Sequence, residues 1–149
     1  MREIISRLKY SKEIKNLLSQ GIKPPKELIS PDNLQAYRWV FENPNAKNHL
    51  PVYIQRPQRI IQAKERDNLD TSGFALSCYD NEFNSENNFR KHLKSTPNFW
   101  KIVGNSISTG ILLDSDGRMT NISSYGHFDL YEFAECNLNS KFTIIKKII

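Results

Sequence analysis

From Arg2 to Gln20 apolar side chains recur at helical spacing, at Ile4, Ile5, Leu8, Ile14, Leu17 and Leu18, with Lys9, Lys12 and Lys15 falling largely between them. This pattern predicts an amphipathic helix with a basic outer face, and Gly21 supplies its stop. Lys23-Pro24-Pro25-Lys26 cannot continue it, because neither proline has an amide hydrogen to give. Ser30-Pro31-Asp32 then offers an N-cap, a proline at the first helical position and an acid in the first turn. A second helix is therefore expected from Pro31 to about Glu42. Tyr37, Val40 and Phe41 share its buried stripe, and Asn43-Pro44-Asn45-Ala46 closes it. Between Leu50 and Asp70, Pro51 and Pro57 interrupt short β-rich pieces. Val52-Tyr53-Ile54 reads as a strand fragment followed by a mobile basic segment.

After Gly73 the period changes to two, with Phe74, Leu76 and Cys78 alternating against Ala75, Ser77 and Tyr79, which predicts a strand. Asn84 or Ser85 caps a helix through about Ser95 that buries Phe89 and Leu93, and Pro97 ends it. Ser106 to Leu113, the turn Asp114-Ser115-Asp116-Gly117 and Arg118 to Ile122 read as a hairpin. Further β segments are expected at Gly126 to Ala134 and Phe142 to Ile149. The predicted fold class is α+β, with two N-terminal helices packed on a mostly antiparallel sheet that carries one inserted helix. Its 149 residues suit a single domain.

Charge changes this picture because it is uneven. Residues 1–66 hold thirteen basic and six acidic side chains, whereas residues 67–149 hold eight basic and ten acidic ones. Any surface that faces an anion should therefore come from the N-terminal half. Arg56, Arg59, Lys64 and Arg66 fall within eleven residues, with Tyr53 just before them, a basic and aromatic mixture suited to tracking phosphates. The same thirteen Lys, fifteen Asn and sixteen Ile also fit a purely compositional bias, and a solvated loop accounts for the cluster without a ligand.

Candidate chemistry concentrates in Gly126-His127-Phe128-Asp129-Leu130-Tyr131-Glu132. Strand alternation there puts His127, Asp129 and Tyr131 on one face. His127 would exchange a proton near neutral pH, Asp129 would orient it or take the proton, and Tyr131 would donate to an oxyanion or a phosphate. Arg118, one strand away, is the candidate cation for a metal-independent ribonuclease. The wet face of an amphipathic strand carries such residues without chemistry, so enzymatic activity stays open.

Cys78 as a nucleophile, with His127 and Asp129, is disfavoured by its place beside Phe74 and Leu76. Asp80 and Glu82 could join Asp129 around magnesium, but they also suit a solvated turn. Cys78 and Cys136 lack zinc-ligand spacing and read as buried thiols. The turn at Asp114 lacks the later glutamate of a calcium loop, and no phosphate-loop glycine spacing occurs. No cofactor or metal is expected.

No strongly apolar run exceeds three residues, so the chain is expected to be soluble and cytoplasmic with no membrane partner. The leading expectation is a small basic accessory module, possibly of a bacterial-type assembly, that binds nucleic acid or a protein partner. The alternative is the small ribonuclease built on His127, Asp129 and Arg118.

Overall fold

A contact from the far end of the chain breaks the first predicted helix. In the computed structural model, which describes residues 1–43 and 47–149, α1 (Arg2–Arg7) and α2 (Ser11–Ser19) are separated at Leu8. The Leu8 backbone is extended and bridges antiparallel to Phe133. The Lys9 amide donates to the Glu132 carbonyl (2.8 Å) and the Ala134 amide to the Arg7 carbonyl (3.0 Å). Long-range hydrogen bonds thus replace helical ones, while Ile5, Leu8, Ile14 and Leu17 keep the buried face that their spacing predicts.

The second predicted helix is a strand, β1 (Leu34–Val40). Asp32 and Asn33 adopt positive φ (36° and 58°), which turns the chain where a helix start was expected. Ala36, Arg38 and Val40 are buried on one side, with Tyr37 and Trp39 half-buried on the other. Aromatic and β-branched residues fit this pleated surface, and the 37/40/41 spacing was compatible with either element. Pro44, Asn45 and Ala46, expected to close a helix, lie outside the described residues.

The segment from Leu50 to Asp70 is helical, not a strand fragment followed by a mobile stretch. It forms α3 (Val52–Gln55) and α4 (Gln58–Glu65), with Pro51 and Pro57 at the N-caps, where no helical amide is lost. A single 3₁₀ turn follows at Thr71–Phe74, where the Asp70 carboxylate accepts from the Ser72 amide (2.8 Å). Next come β2 (Leu76–Tyr79), α5 (Glu82–Ser95) and α6 (Trp100–Val103). The Asn81 side chain caps α5 by accepting from the Asn84 amide at 2.7 Å. The chain ends with β3 (Ser106–Leu112), β4 (Gly117–Met119), β5 (His127–Glu132), α7 (Leu138–Lys141) and β6 (Thr143–Lys147).

The six strands form one sheet in the order β4-β5-β2-β1-β3-β6, and every neighbouring pair is antiparallel. The architecture is α+β. The expected hairpin strands both exist but do not pair with each other: β3 lies between β1 and β6, and β4 pairs with β5. Their connection is a corner in which Leu113, Asp114 and Ser115 are exposed and Asp116 is buried. The Asp116 carboxylate accepts from the Leu113 amide (2.7 Å) and is ion-paired with Lys141, so the turn is held from outside itself.

One face of the curled sheet packs Ala36, Leu76, Cys78, Leu112, Phe128 and Leu130 against Leu138 and Phe142. Cys78 and Cys136 are both free and buried. On the other face, α1, α2 and α3 cover Tyr131, Phe133 and Phe74 at one end. At the other end α5 covers Trp39 and Tyr79 through Phe89, and the Trp39 indole donates to Ser85. The face stays open between these two coverings. The sheet also parts there, because β1 and β2 pair only at Tyr37 and Tyr79. Among the described residues, no helix is long and apolar enough to cross a membrane.

Candidate functional site

The open stretch of the sheet is built by β2 and β5. Ser77 lies opposite Asp129 and Tyr79 opposite His127, so all four side chains share one face. The Ser77 hydroxyl is 2.6 Å from His127 Nε2, and Asp129 Oδ1 is 3.8 Å from the same nitrogen. The carboxylate therefore does not hold the far ring nitrogen as a catalytic triad requires. Tyr79 and Tyr125 lie on the imidazole, with ring centroids at 5.4 and 6.2 Å. This burial keeps its pKa below the ordinary value, so the ring is neutral at pH 7. Burial, with the charge of Asp70 adding to it, pushes the Asp129 carboxyl up to about 6. The pair can exchange a proton, and among the described residues no Lys or Arg lies within 4 Å of the Asp129 carboxylate.

Two other members of the expected catalytic set are elsewhere or engaged. Arg118 pairs across from Tyr131, four residues along β5 from His127, or about 13 Å of strand. Its guanidinium donates to the Asp114 and Gly117 carbonyls, pairs with the Asp114 carboxylate (3.2 Å) and lies over the Phe133 ring. Tyr131 is buried, and its hydroxyl is 3.0 Å from Thr71 Oγ1. Burial pushes that phenol up to about 12. The structure thus brings His127 and Asp129 together with Ser77, and it does not bring Arg118 or the Tyr131 hydroxyl to them.

The basic segment behaves differently. α4 has no buried residue, and Arg59, Lys64 and Arg66 are exposed while Arg56 is half-buried. Among the described residues, no carboxylate lies within 4 Å of any of these four cations. Arg59, Gln62 and Arg66, one helical turn apart, line a polar groove of about 270 Å³ with Asn68, Asp70 and Ser72. Lys64 faces away, beside Gln20 and Asp67. Tyr53 is not the free aromatic expected from sequence. Its ring is buried edge-on against Phe74 (5.3 Å), and a Cβ on Gly73 would meet it at 2.2 Å. Gly73 is thus what lets α3 seat on the 3₁₀ turn.

Where β1 and β2 part, a cleft of about 290 Å³ opens between α3, α6 and the sheet. Leu50, Pro51, Val52, Ala75, Ile102 and Val103 give it apolar walls. Lys47, Arg56, Ser72, Ser77 and Asp129 also line it, as does Arg38. Arg38 takes the place of the missing ladder: its guanidinium donates to the Ser77 carbonyl (2.5 Å), the Asn48 carbonyl (3.1 Å) and His49 Nδ1 (3.0 Å). Burial first, and then the Arg38 charge, hold the His49 pKa near 3, so this imidazole is a neutral acceptor. Arg38 is 6% exposed, yet among the described residues no carboxylate lies within 4 Å of it. A cation buried without a counter-ion costs several kcal/mol.

The remaining sequence candidates find structural roles. Cys78 is fully buried, and burial pushes its thiol up to about 11 even though Arg38 pulls the other way. Asp80 accepts from the Asn81 and Asn84 side chains, and Glu82 lies in the first turn of α5. Among the described residues, no three His, Cys, Asp or Glu side chains cluster closely enough to hold a metal ion. Sequence reading missed Ser77 and Arg38. Ser77 was legible as the polar alternate between Leu76 and Cys78, whereas Arg38 was hidden once its segment was read as a helix. Comparison with protein-family models, with curated proteins and with solved structures finds no match to the chain.

Proposed function

We propose that this protein is a non-catalytic module that binds nucleic acid through the exposed cations of α4 and its flanks. One observation carries the reading: Arg56, Arg59, Lys64 and Arg66 are held on one mostly solvent-facing segment, and among the described residues no carboxylate lies within 4 Å of any of them. Arg59 and Arg66 flank a groove in which Gln62, Asn68 and Ser72 suit phosphate and sugar oxygens, with Asp70 as its one acid among the described residues. A helix that buries none of its own residues gains little stability from being basic, which favours a role in binding.

Fluorescence anisotropy with labelled single-stranded RNA and DNA and with duplexes, at low salt, tests it. Arg59→Glu combined with Arg66→Glu should weaken binding at least about tenfold by losing two phosphate contacts. Reversing Lys146 and Lys147, which are paired with Glu86 and Glu42, should change it far less. Absence of binding by the unmodified protein overturns the reading and leaves a protein partner as the alternative.

The contact between Ser77 and a neutral His127, with Asp129 beside it, favours RNA cleavage as a second reading. Incubation of the protein with RNA and with DNA, with and without EDTA, decides it. Cleavage of RNA that resists EDTA and is abolished by His127→Gln would establish it; no cleavage in any condition would remove it.

A further inference from the structure

Resting on the reading that α4 binds nucleic acid, we infer that the cleft between β1, α3 and α6 receives the phosphorylated terminal nucleotide of a single strand. The phosphate lies on Arg38 and Arg56, and the base lies against the apolar walls. Three independent features lead here. The first is Arg38, a cation more than nine-tenths buried that lines the cleft, donates to the neutral acceptors Ser77, Asn48 and His49, and among the described residues has no carboxylate within 4 Å. Three of its five N–H groups are used in this way, and an external anion supplies the missing counter-charge.

The second feature is the chemistry of the lining. Leu50, Pro51, Val52, Ile102 and Val103 offer a flat heterocycle an apolar slot. The volume of about 290 Å³ lies at the small end of ligand sites, enough for one nucleotide-sized group. Ser72, Ser77 and Asp129 are left to bond the edge of a base, the carboxylate accepting from an exocyclic amine.

The third feature is continuity. Val52 and Ser72 line both this cleft and the Arg59–Arg66 groove. A strand whose backbone follows α4 is thereby delivered to the cleft mouth, where Arg56 lines the cleft. A paired end is too wide for such a slot, so the site selects single strands by their ends.

The test uses twelve-nucleotide strands labelled internally and carrying a 5′ phosphate, a 3′ phosphate or two hydroxyl ends, together with a phosphorylated blunt duplex and free AMP. One phosphorylated strand should bind about tenfold tighter than the hydroxyl strand, as a charge-assisted pair of bonds provides. The duplex should show no such preference, and AMP should compete only at far higher concentration. Arg38→Gln and Ile102→Glu should each make the phosphorylated and hydroxyl affinities converge. Ile102 is exposed, so its variant folds even where Arg38→Gln does not.

Equal affinity of the unmodified protein for phosphorylated and hydroxyl strands overturns the inference while leaving the α4 reading intact. So does a preference that survives Ile102→Glu, or equal binding of free AMP. Failure of every strand to bind overturns both.

Discussion

The two halves of the chain treat their cations differently. Among the described residues, five of the eight basic side chains after residue 66 lie within 4 Å of a carboxylate: Arg90 and Lys146 with Glu86, Arg118 with Asp114, Lys141 with Asp116 and Lys147 with Glu42. Of the thirteen in residues 1–66, Lys9 alone has such a partner among the described residues, in Glu132. The difference follows the architecture. Lys141, Lys146 and Lys147 pair across elements distant in sequence, whereas Arg90 and Arg118 pair locally at i,i+4 spacing. The unpaired ones of α4 stand on a helix that has no buried residue and touches the core through the half-buried Ile60. A cation with a protein carboxylate is accounted for by the fold; one without it is available to a ligand.

Breaking a compensated cation should produce the largest loss of stability. Asp116→Ala removes a buried carboxylate that is both the partner of Lys141 and the acceptor of the Leu113 amide. It should cost about 2–4 kcal/mol in urea unfolding. Arg59→Glu with Arg66→Glu, in contrast, should shift the unfolding midpoint little, since exposed substitutions usually stay within about 0.5 kcal/mol.

Asp129 sharpens the comparison from the acidic side, because among the described residues no Lys or Arg lies within 4 Å of this half-buried carboxylate. The folded state raises its pKa from the ordinary carboxylate value to about 6. The folded protein therefore binds this proton more tightly than the unfolded chain does, and stability falls as pH rises through that window. Asp129→Asn should stabilise the protein by roughly 2 kcal/mol at pH 7.5, and the gain should vanish below pH 4. Parallel urea titrations at the two pH values give the answer; a gain independent of pH would contradict the burial account.

Smaller effects follow for groups that pack rather than react. Tyr131→Phe loses one buried hydrogen bond to Thr71 and should cost about 1 kcal/mol without altering RNA binding. Lys146→Ala breaks an exposed pair with Glu86 and should cost no more than about 0.5 kcal/mol in thermal or urea unfolding.

Much of the fold was legible where local pattern and tertiary context agree. The alternation after Gly73, the helix that stops before Pro97 and the β segment at His127 each carry their own pattern, although α5 is capped by Asn81 and not by the expected Asn84 or Ser85. The failures share one cause. Residues 34–40 show a spacing that satisfies helix and strand alike, and only pairing with β3 along their whole length decides for the strand. Leu8 breaks a good helical pattern because Phe133, distant in sequence, claims its backbone. The hairpin at Asp114 was inferred from turn chemistry, but the buried Asp116 commits that turn to Lys141 and so to a corner. At the site, composition located the basic segment, and the faces of β5 placed His127 beside Asp129. The buried position of Arg38 was not legible, since a charged residue inside a sheet contradicts the polarity pattern by which strands are read.

The most direct measurement is the salt dependence of single-strand binding by the unmodified protein and by the Arg59→Glu, Arg66→Glu variant. If the uncompensated cations release counterions from the phosphates, log K should fall linearly with log salt, with a slope near −2 to −3, about 0.7 per phosphate contact. The variant's slope should be shallower by about 1.4, the share of two contacts. Equal slopes for the two proteins, or binding insensitive to salt, would contradict the account.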